Sequence, residues 1–312
     1  MGADPHQGET EPEVSALGRR LASGAEPYLY AAPVLLLIVA IMLVPLGVGL
    51  SYAFRDLQLL DPFAGAFIGL DHFRELIDDD IFRDALRNTA IWTCASVSLQ
   101  FVLGLGLALL LNREFPGRRL VQALVFLPWA VPTFLVGLDW EWLFNPVVGP
   151  LPHWLFALHI THDANNLLSD PNLALIGPIV AAVWWGIPFF AITCLAALQS
   201  IPKDLYEAAA IDGASLFEQF RSITLPLLAP TIAISILLRT IWVANFADLI
   251  IVMTNGGPAD STQTVASYIF TVAFRRLDFG YASAIATALL LLLFLYAIAI
   301  LLLRRAFVRR QA

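Results

Sequence analysis

Few residues in this 312-residue chain have the types and spacing that chemistry needs. His153, His159 and His162 gather with Asp163 between positions 145 and 172. On a helix His159 and His162 would share a face and could meet a metal ion. A solvated loop suits the surrounding sequence better, so no metal ligand set is expected. Cys94 and Cys194 have neither metal spacing nor an obvious disulfide role, and buried free thiols inside apolar runs are expected. The only lysine is Lys203, in "SIPKDLY", and a phosphate-binding P-loop needs Gly-Lys-Ser/Thr. No His-Glu-x-x-His or Gly-x-Ser-x-Gly pattern occurs. Asp139 and Glu141 stand beside Trp140 and Trp142, an aromatic setting that belongs to a membrane interface rather than to a proton-transfer pair. No acid–base or nucleophilic constellation emerges, so an enzyme is not expected.

The elements that hold these residues are apolar. The chain is 59% hydrophobic and 14% charged, whereas soluble domains carry about 25% charged residues. Its mean hydropathy is +0.75. Six apolar runs are near the 20-residue length that crosses about 30 Å of hydrocarbon. They cover 28–54, 88–111, 120–144, 173–198, 226–253 and 281–303. One such run could be a buried soluble helix; six together argue for spans. Spans must bond their own backbone, and long Leu/Ala/Ile runs without alternation specify helices rather than a barrel. The expected fold is therefore all-α and integral to the membrane, with six transmembrane helices.

Basic residues orient the spans. An even number of spans puts both termini on one side. That side holds eleven cations: Arg19, Arg20, Arg113, Arg118, Arg119, Lys203, Arg221, Arg304, Arg305, Arg309 and Arg310. The other side holds six: Arg55, Arg74, Arg83, Arg87, Arg275 and Arg276. Both termini are expected in the cytoplasm. Residues 1–27 read as a disordered cytoplasmic tail rather than a signal peptide, 28–305 as the transmembrane domain, and 306–312 as a second tail. The net charge of -7 comes largely from the first tail and the acidic 71–84 loop. It gives no reason to expect nucleic acid.

Polar groups at membrane depth mark functional positions by default. The fifth run, "LLRTIWVANFADLIIVMT", is the richest in them. Read as one helix, it places Ile241, Asn245 and Asp248 on one face and Arg239, Trp242 and Phe246 on another. With the aromatic pair of "VWWGIPFF", these make Trp185, Phe189, Arg239, Trp242, Asn245 and Asp248 the candidate lining of a substrate path. Packing or pairing inside the bundle is the plainer role for the same residues.

Two function classes remain. The chain could be the membrane subunit of a pump whose ATPase is another polypeptide, or an ion-coupled secondary transporter. The latter calls for intramembrane acids and matched broken helices. The span interiors offer chiefly Arg239 and Asp248, and no repeat is evident. The stretch 207–230, "EAAAIDGASLFEQFRSITLPLLAP", separates the two. Helix formers open it, Gly213 permits a sharp turn, and Leu216, Phe217, Phe220 and Ile223 form one face of a second short helix. Pro226 and Pro230 suit the first turns of the next span. An apolar, alanine-rich element on the cytoplasmic side suits helix-in-groove docking. Lying on lipid suits it less, because Glu207, Asp212 and Glu218 would face an anionic leaflet.

This stretch resembles the EAA loop of bacterial ATP-binding-cassette importer permeases. Glu207, Ala208, Ala209, Gly213, Ile223, Leu225 and Pro226 match its pattern. "FIGLDHFREL" (67–76), "LAALQSIPKDLYEAA" and 254–292 resemble the carbohydrate-importer branch related to maltose permeases. The resemblance covers about residues 30–305. The chain departs from maltose-type relatives in size: its 145–172 loop is too short for their outer domain. The resemblance implies a type I ABC importer permease fold with its coupling loop at 203–230. It implies Glu207 as a polar anchor for the ATPase, Ala208 and Ala209 as a close-contact face, Gly213 as the turn, and Asp212 and Pro226 within the same element. It implies sugar import, a second permease of the same family, two ATPase subunits and an extracytoplasmic solute-binding protein. This chain would need no cofactor; ATP and magnesium would belong to the ATPase.

Overall fold

The computed structural model describes residues 30–61, 65–159 and 167–311, with side chains to residue 302. The 1–27 tail, His162 and Asp163 lie outside the described residues. Chain contacts divide the protein into two compact units, one ending at Ser51 and one beginning at Tyr52. The described part of the first unit belongs to helix α1 (Tyr30–Tyr52), with a π-turn at Val39–Leu43 and no buried residue.

In the second unit the described helices are α2 (Asp71–Asp78), α3 (Asp80–Leu111), α4 (Arg118–Ala130), α5 (Thr133–Leu143), α6 (Pro150–Ala157) and α7 (Ile176–Gln199). After them come α8 (Lys203–Ile211), α9 (Leu216–Gln219), a π-turn (Phe220–Thr224), α10 (Leu225–Ala244), α11 (Asp248–Met253), α12 (Val265–Phe274) and α13 (Phe279–Gln311). No strand occurs among the described residues, only two isolated bridges, Arg55 with Phe67 and Gln58 with Asp278. Five segments are long and apolar enough to cross a membrane. The expected third span makes a sixth only as the bent pair α4 and α5, which meet at 96°.

That bend corrects the expectation of a straight helix over 120–144. Pro132 has no N–H and crowds the helical conformation of the residue before it, so Val131 turns extended, at φ -85° and ψ 125°. The fifth span is interrupted too. α10 stops at Ala244 and α11 starts at Asp248. Asn245 adopts φ -90°, ψ 1°, and its amide donates back to Ile241 O at 2.8 Å, a local bond that competes with continued helix. The face drawn through Ile241, Asn245 and Asp248 therefore spans two helices. Cys194 is buried and free as expected, but Cys94 is free and exposed, on the side of α3 away from buried Trp92, Thr93 and Ser96. A membrane helix can turn a thiol outward at no cost, because lipid is as apolar as a core.

Helices α3 and α7 form the most extensive pair in the bundle. Small residues permit it. A Cβ on Gly104 would lie 2.5 Å from Phe190 Cβ and 3.0 Å from the α7 backbone. Around this axis one cluster joins Trp92, Val136, Trp185, Phe190 and Leu249, drawing α5, α7 and α11 together. A second joins Ala85, Val265, Tyr268, Tyr281 and Ile285, from α3, α12 and α13. Leu111, Leu195 and Leu228 anchor a third, which reaches the start of α10.

Asp79 ties the far end of this second cluster. As N-cap of α3 it accepts from Phe82 N at 3.1 Å. Its other oxygen accepts from the Tyr268 and Tyr281 hydroxyls, each at 2.6 Å. Arg276 donates to Tyr268 Oη at 3.3 Å. Partial burial pushes the carboxyl up, but the two phenols and the backbone N–H groups of Phe82 and Ile81 outweigh it. Asp79 therefore sits below the usual carboxylate range.

Two measurements check this packing. Gly104→Val should lower stability in detergent by about 1–3 kcal/mol, because α3 and α7 would have to separate. Gly106→Val, whose Cβ meets nothing within 4 Å, should leave the melting temperature nearly unchanged. For Asp79 the folded carboxyl titrates lower than the unfolded one. Its contribution is complete above about pH 4 and is lost as pH falls through the folded value. Thermal unfolding followed from about pH 6 down to about pH 3 should show wild type losing more stability than Asp79→Asn.

Candidate functional site

The two helix breaks meet at one place. Where α4 ends, the Val131 carbonyl has lost its helical partner, and Trp185 Nε1 donates to it at 3.3 Å. Where α10 ends, Trp92 Nε1 donates to Val243 O at 2.9 Å. Thr133, the first residue of α5, donates its hydroxyl to Asp248 Oδ2 at 2.9 Å, and Asp248 is the first residue of α11. One broken span thus supports the other. The two indoles do what water would do at a helix end in a soluble protein, while the hydroxyl ties the two breaks through a side chain.

Beside the breaks lies an aromatic group. Trp185 and Phe189 come from one face of α7, and Trp242 from α10. The Arg239 guanidinium lies 5.2 Å from the Trp185 ring centre, 5.5 Å from that of Phe189 and 5.2 Å from that of Trp242. Trp185 meets Trp242 edge-on at 5.9 Å and stacks on Phe246 at 5.5 Å, 15° from parallel. Trp129, from α4, completes the group at 6.5 Å from Trp185 and from Trp242 and 6.1 Å from Phe189.

Of the six residues expected along a substrate path, four therefore gather, with Trp185, Phe189 and Trp242 each against Arg239. Asn245 is exposed and turned back on α10, and Asp248 is exposed and held by Thr133. Sequence reasoning missed Trp129, whose signal was a tryptophan between two prolines in "LPWAVP". It also missed Gln100, a lone polar side chain in the apolar run "SLQFVLG". Gln100 is fully buried; its amide donates to Ala182 O at 2.9 Å and its oxygen accepts from Arg239 Nε at 2.7 Å. Gly186 makes room for the pair, since a Cβ there would overlap both Gln100 Cδ and Arg239 Nη2.

The 207–230 stretch is built differently. α8 buries none of its residues. It ends in a Schellman motif: Ala214 N donates to Ala209 O at 2.9 Å, Gly213 N to Ala210 O at 3.1 Å, and Gly213 takes φ +83°. Ser215 then caps α9 in a capping box with Glu218. The second short helix expected here is in fact the first turn of the fifth span. α9 runs through the π-turn into α10, so Pro226 lies inside continuing helix. The π-turn lets Leu225 N reach back to Phe220 O one residue further than an α-helix would, just before the proline that has no N–H to offer. Tyr206 Oη and Thr224 Oγ1, 2.9 Å apart, link α8 to this helix. Glu207, Ala208, Asp212 and Gly213 are exposed and Ala209 half-buried; Ile211, Leu216 and Phe217 are 87%, 73% and 70% exposed.

His153 lies on α6 rather than in the expected solvated loop, and its Nδ1 is 2.9 Å from Gly149 O, a backbone contact rather than a ligand geometry. No group of three or more metal-ligating side chains occurs among the described residues.

The chain is similar in sequence and fold to transport components. The 36% identity to the trehalose/maltose transport system permease protein MalF of Thermococcus litoralis extends over 83% of this chain and 86% of that one. The sulfoquinovosyl glycerol transport system permease protein SmoG of Agrobacterium fabrum is 35% identical over 86% of each. A chain of a bacterial ABC transporter involved in the import of the acidic polysaccharide alginate superposes with a TM-score of 0.78 at 25% identity. That match covers 92% of this chain and 99% of that one. Residues 100–311 match the family described as binding-protein-dependent transport system inner membrane component. The chain belongs to that family: it is a multi-pass inner-membrane permease, not an enzyme, and the ion-coupled alternative falls away.

Proposed function

We propose that this chain is one permease subunit of an ATP-driven saccharide importer. It forms half of the translocation path and couples to a separate ATPase through 207–230. A second permease of the same family supplies the other half, two ATPase subunits hold ATP and magnesium, and an extracytoplasmic binding protein delivers the sugar. Both termini lie in the cytoplasm. The substrate class rests on the saccharide transporters among the relatives and on the cluster of indole and phenyl rings beside the two broken spans.

One observation carries the coupling role: a helix with no buried residue that ends in exposed Ile211 and is followed by exposed Leu216 and Phe217, on the side richer in Arg and Lys. Such a surface is stable in water only when a partner covers it. Gly213 sets the angle between α8 and α9. Its positive φ makes any other residue strained by about 1–2 kcal/mol, although its Cβ would meet open space. Glu207 stands exposed on α8, where its charge can meet a basic partner.

Two experiments follow. In vesicles reconstituted with the ATPase and the binding protein, Gly213→Val and Glu207→Lys should each abolish uptake and binding-protein-stimulated hydrolysis while the permease still inserts. Normal stimulation and uptake in both variants would reduce this segment to a linker. For orientation, Cys94 and Cys194 are first replaced by alanine. In intact spheroplasts Ile77→Cys, at an exposed position of α2, should react with an impermeant maleimide and Glu114→Cys, between α3 and α4, should not. The reverse pattern would invert the topology and remove the coupling argument.

A further inference from the structure

Arg239 does not sit where a group that greets a solute would sit. It is 1% exposed, whereas Trp129 and Trp242 are 36% and 46% exposed, so the cation is sealed while two rings of its group are open. Its place is fixed from several sides. Nε donates to Gln100, Gln100 is held by the Ala182 carbonyl, and bare Gly186 leaves the space the pair fills. Its charge is answered by one amide oxygen and three ring faces, and Nη1 has no hydrogen-bond partner among the described residues. An aliphatic side chain would fill this volume without the penalty of a buried charge. What a cation adds is direction. Dispersion does not distinguish the face of a ring from its edge, but a cation is attracted by the face and repelled by the edge. Few arrangements of Trp185, Phe189 and Trp242 turn all three faces to one guanidinium.

We propose that Arg239 is the positioning residue of the aromatic surface. It holds these three rings from behind, in the orientation that presents the open faces of Trp242 and its neighbour Trp129 to a sugar ring. Gln100 fixes the guanidinium in turn. This rests on the reading of these rings as the substrate path. It places Arg239 behind the path, as a determinant of ring order and of sugar affinity rather than as a ligand.

The test uses the assembled transporter, labelled with 5-fluorotryptophan, in nanodiscs. Arg239→Met should shift and broaden the fluorine lines of Trp185 and Trp242 and leave that of Trp154 in place. Arg239→Lys, which keeps a cation among the rings, should restore part of their order. Gln100→Met, which removes only the acceptor of Nε, should move the same lines less, and it serves if Arg239→Met fails to assemble. In proteoliposome uptake of trehalose, Arg239→Met should raise KM about tenfold with Vmax little changed. Unmoved fluorine lines in both variants would overturn the proposal. So would a loss confined to a uronate disaccharide, with trehalose uptake intact, because Arg239 would then be a direct anion ligand. Trp242→Ala with unchanged KM for both sugars would remove the substrate-path reading alone, while the fluorine lines still report on positioning. If neither sugar is carried, those lines decide.

Discussion

Hydrocarbon offers no hydrogen bonds, and the rest of this structure follows from that lack. An unbroken helix meets the constraint by itself, as α3 and α7 do. A broken one does not, because each break leaves carbonyls and N–H groups without partners. This chain interrupts two of its apolar spans, at Val131–Pro132 and at 245–247. It closes each break with an indole N–H from another helix, Trp185 to Val131 and Trp92 to Val243. Thr133 and Asp248 then join the two breaks. Irregular backbone within a membrane is tolerated where it is buried in protein or lines a cavity. Breaks and aromatic group therefore belong to one construction.

Trp185 shows the economy of this arrangement. Its N–H satisfies a broken helix, one neighbour is the Arg239 cation, and its ring stacks on Phe246. Moving it would disturb the bend between α4 and α5 together with the ring cluster. The same packing draws α5, α7 and α11 into one hydrophobic cluster. A displacement at the rings thus has a packed route to the breaks in both spans.

The 207–230 segment obeys the opposite rule. α8 makes no core, and its shape comes from local bonds: the Schellman motif at Gly213, the capping box at Ser215 and the Tyr206–Thr224 contact. Such bonds define a helix–turn–helix without burying it, which leaves its apolar side chains exposed. The segment is continuous with the fifth span: α9 runs through the π-turn into α10, the helix that carries Arg239 and Trp242.

The sequence alone determined what depends on local or compositional physics. Span length fixed the class, helix formers and Gly213 fixed the turn in 207–230, and the i, i+4 spacing of Trp185 and Phe189 put them on one face. It named the cation and the three rings that meet around it. Tertiary structure decided the rest. Residue type alone does not say what a proline does: Pro132 bends its span by 96° while Pro188 and Pro230 remain inside helices. Whether a neighbouring side chain can take up the freed carbonyl is not written within the broken segment. Nor could the run around Gln100 announce its role, because the partner, Arg239, is 139 residues away and the space for both is made by a glycine on a third helix. Side-chain type sets what a group can bond. Only the packing of distant helices sets which bonds are within reach, since in lipid the sole alternative to a protein partner is none.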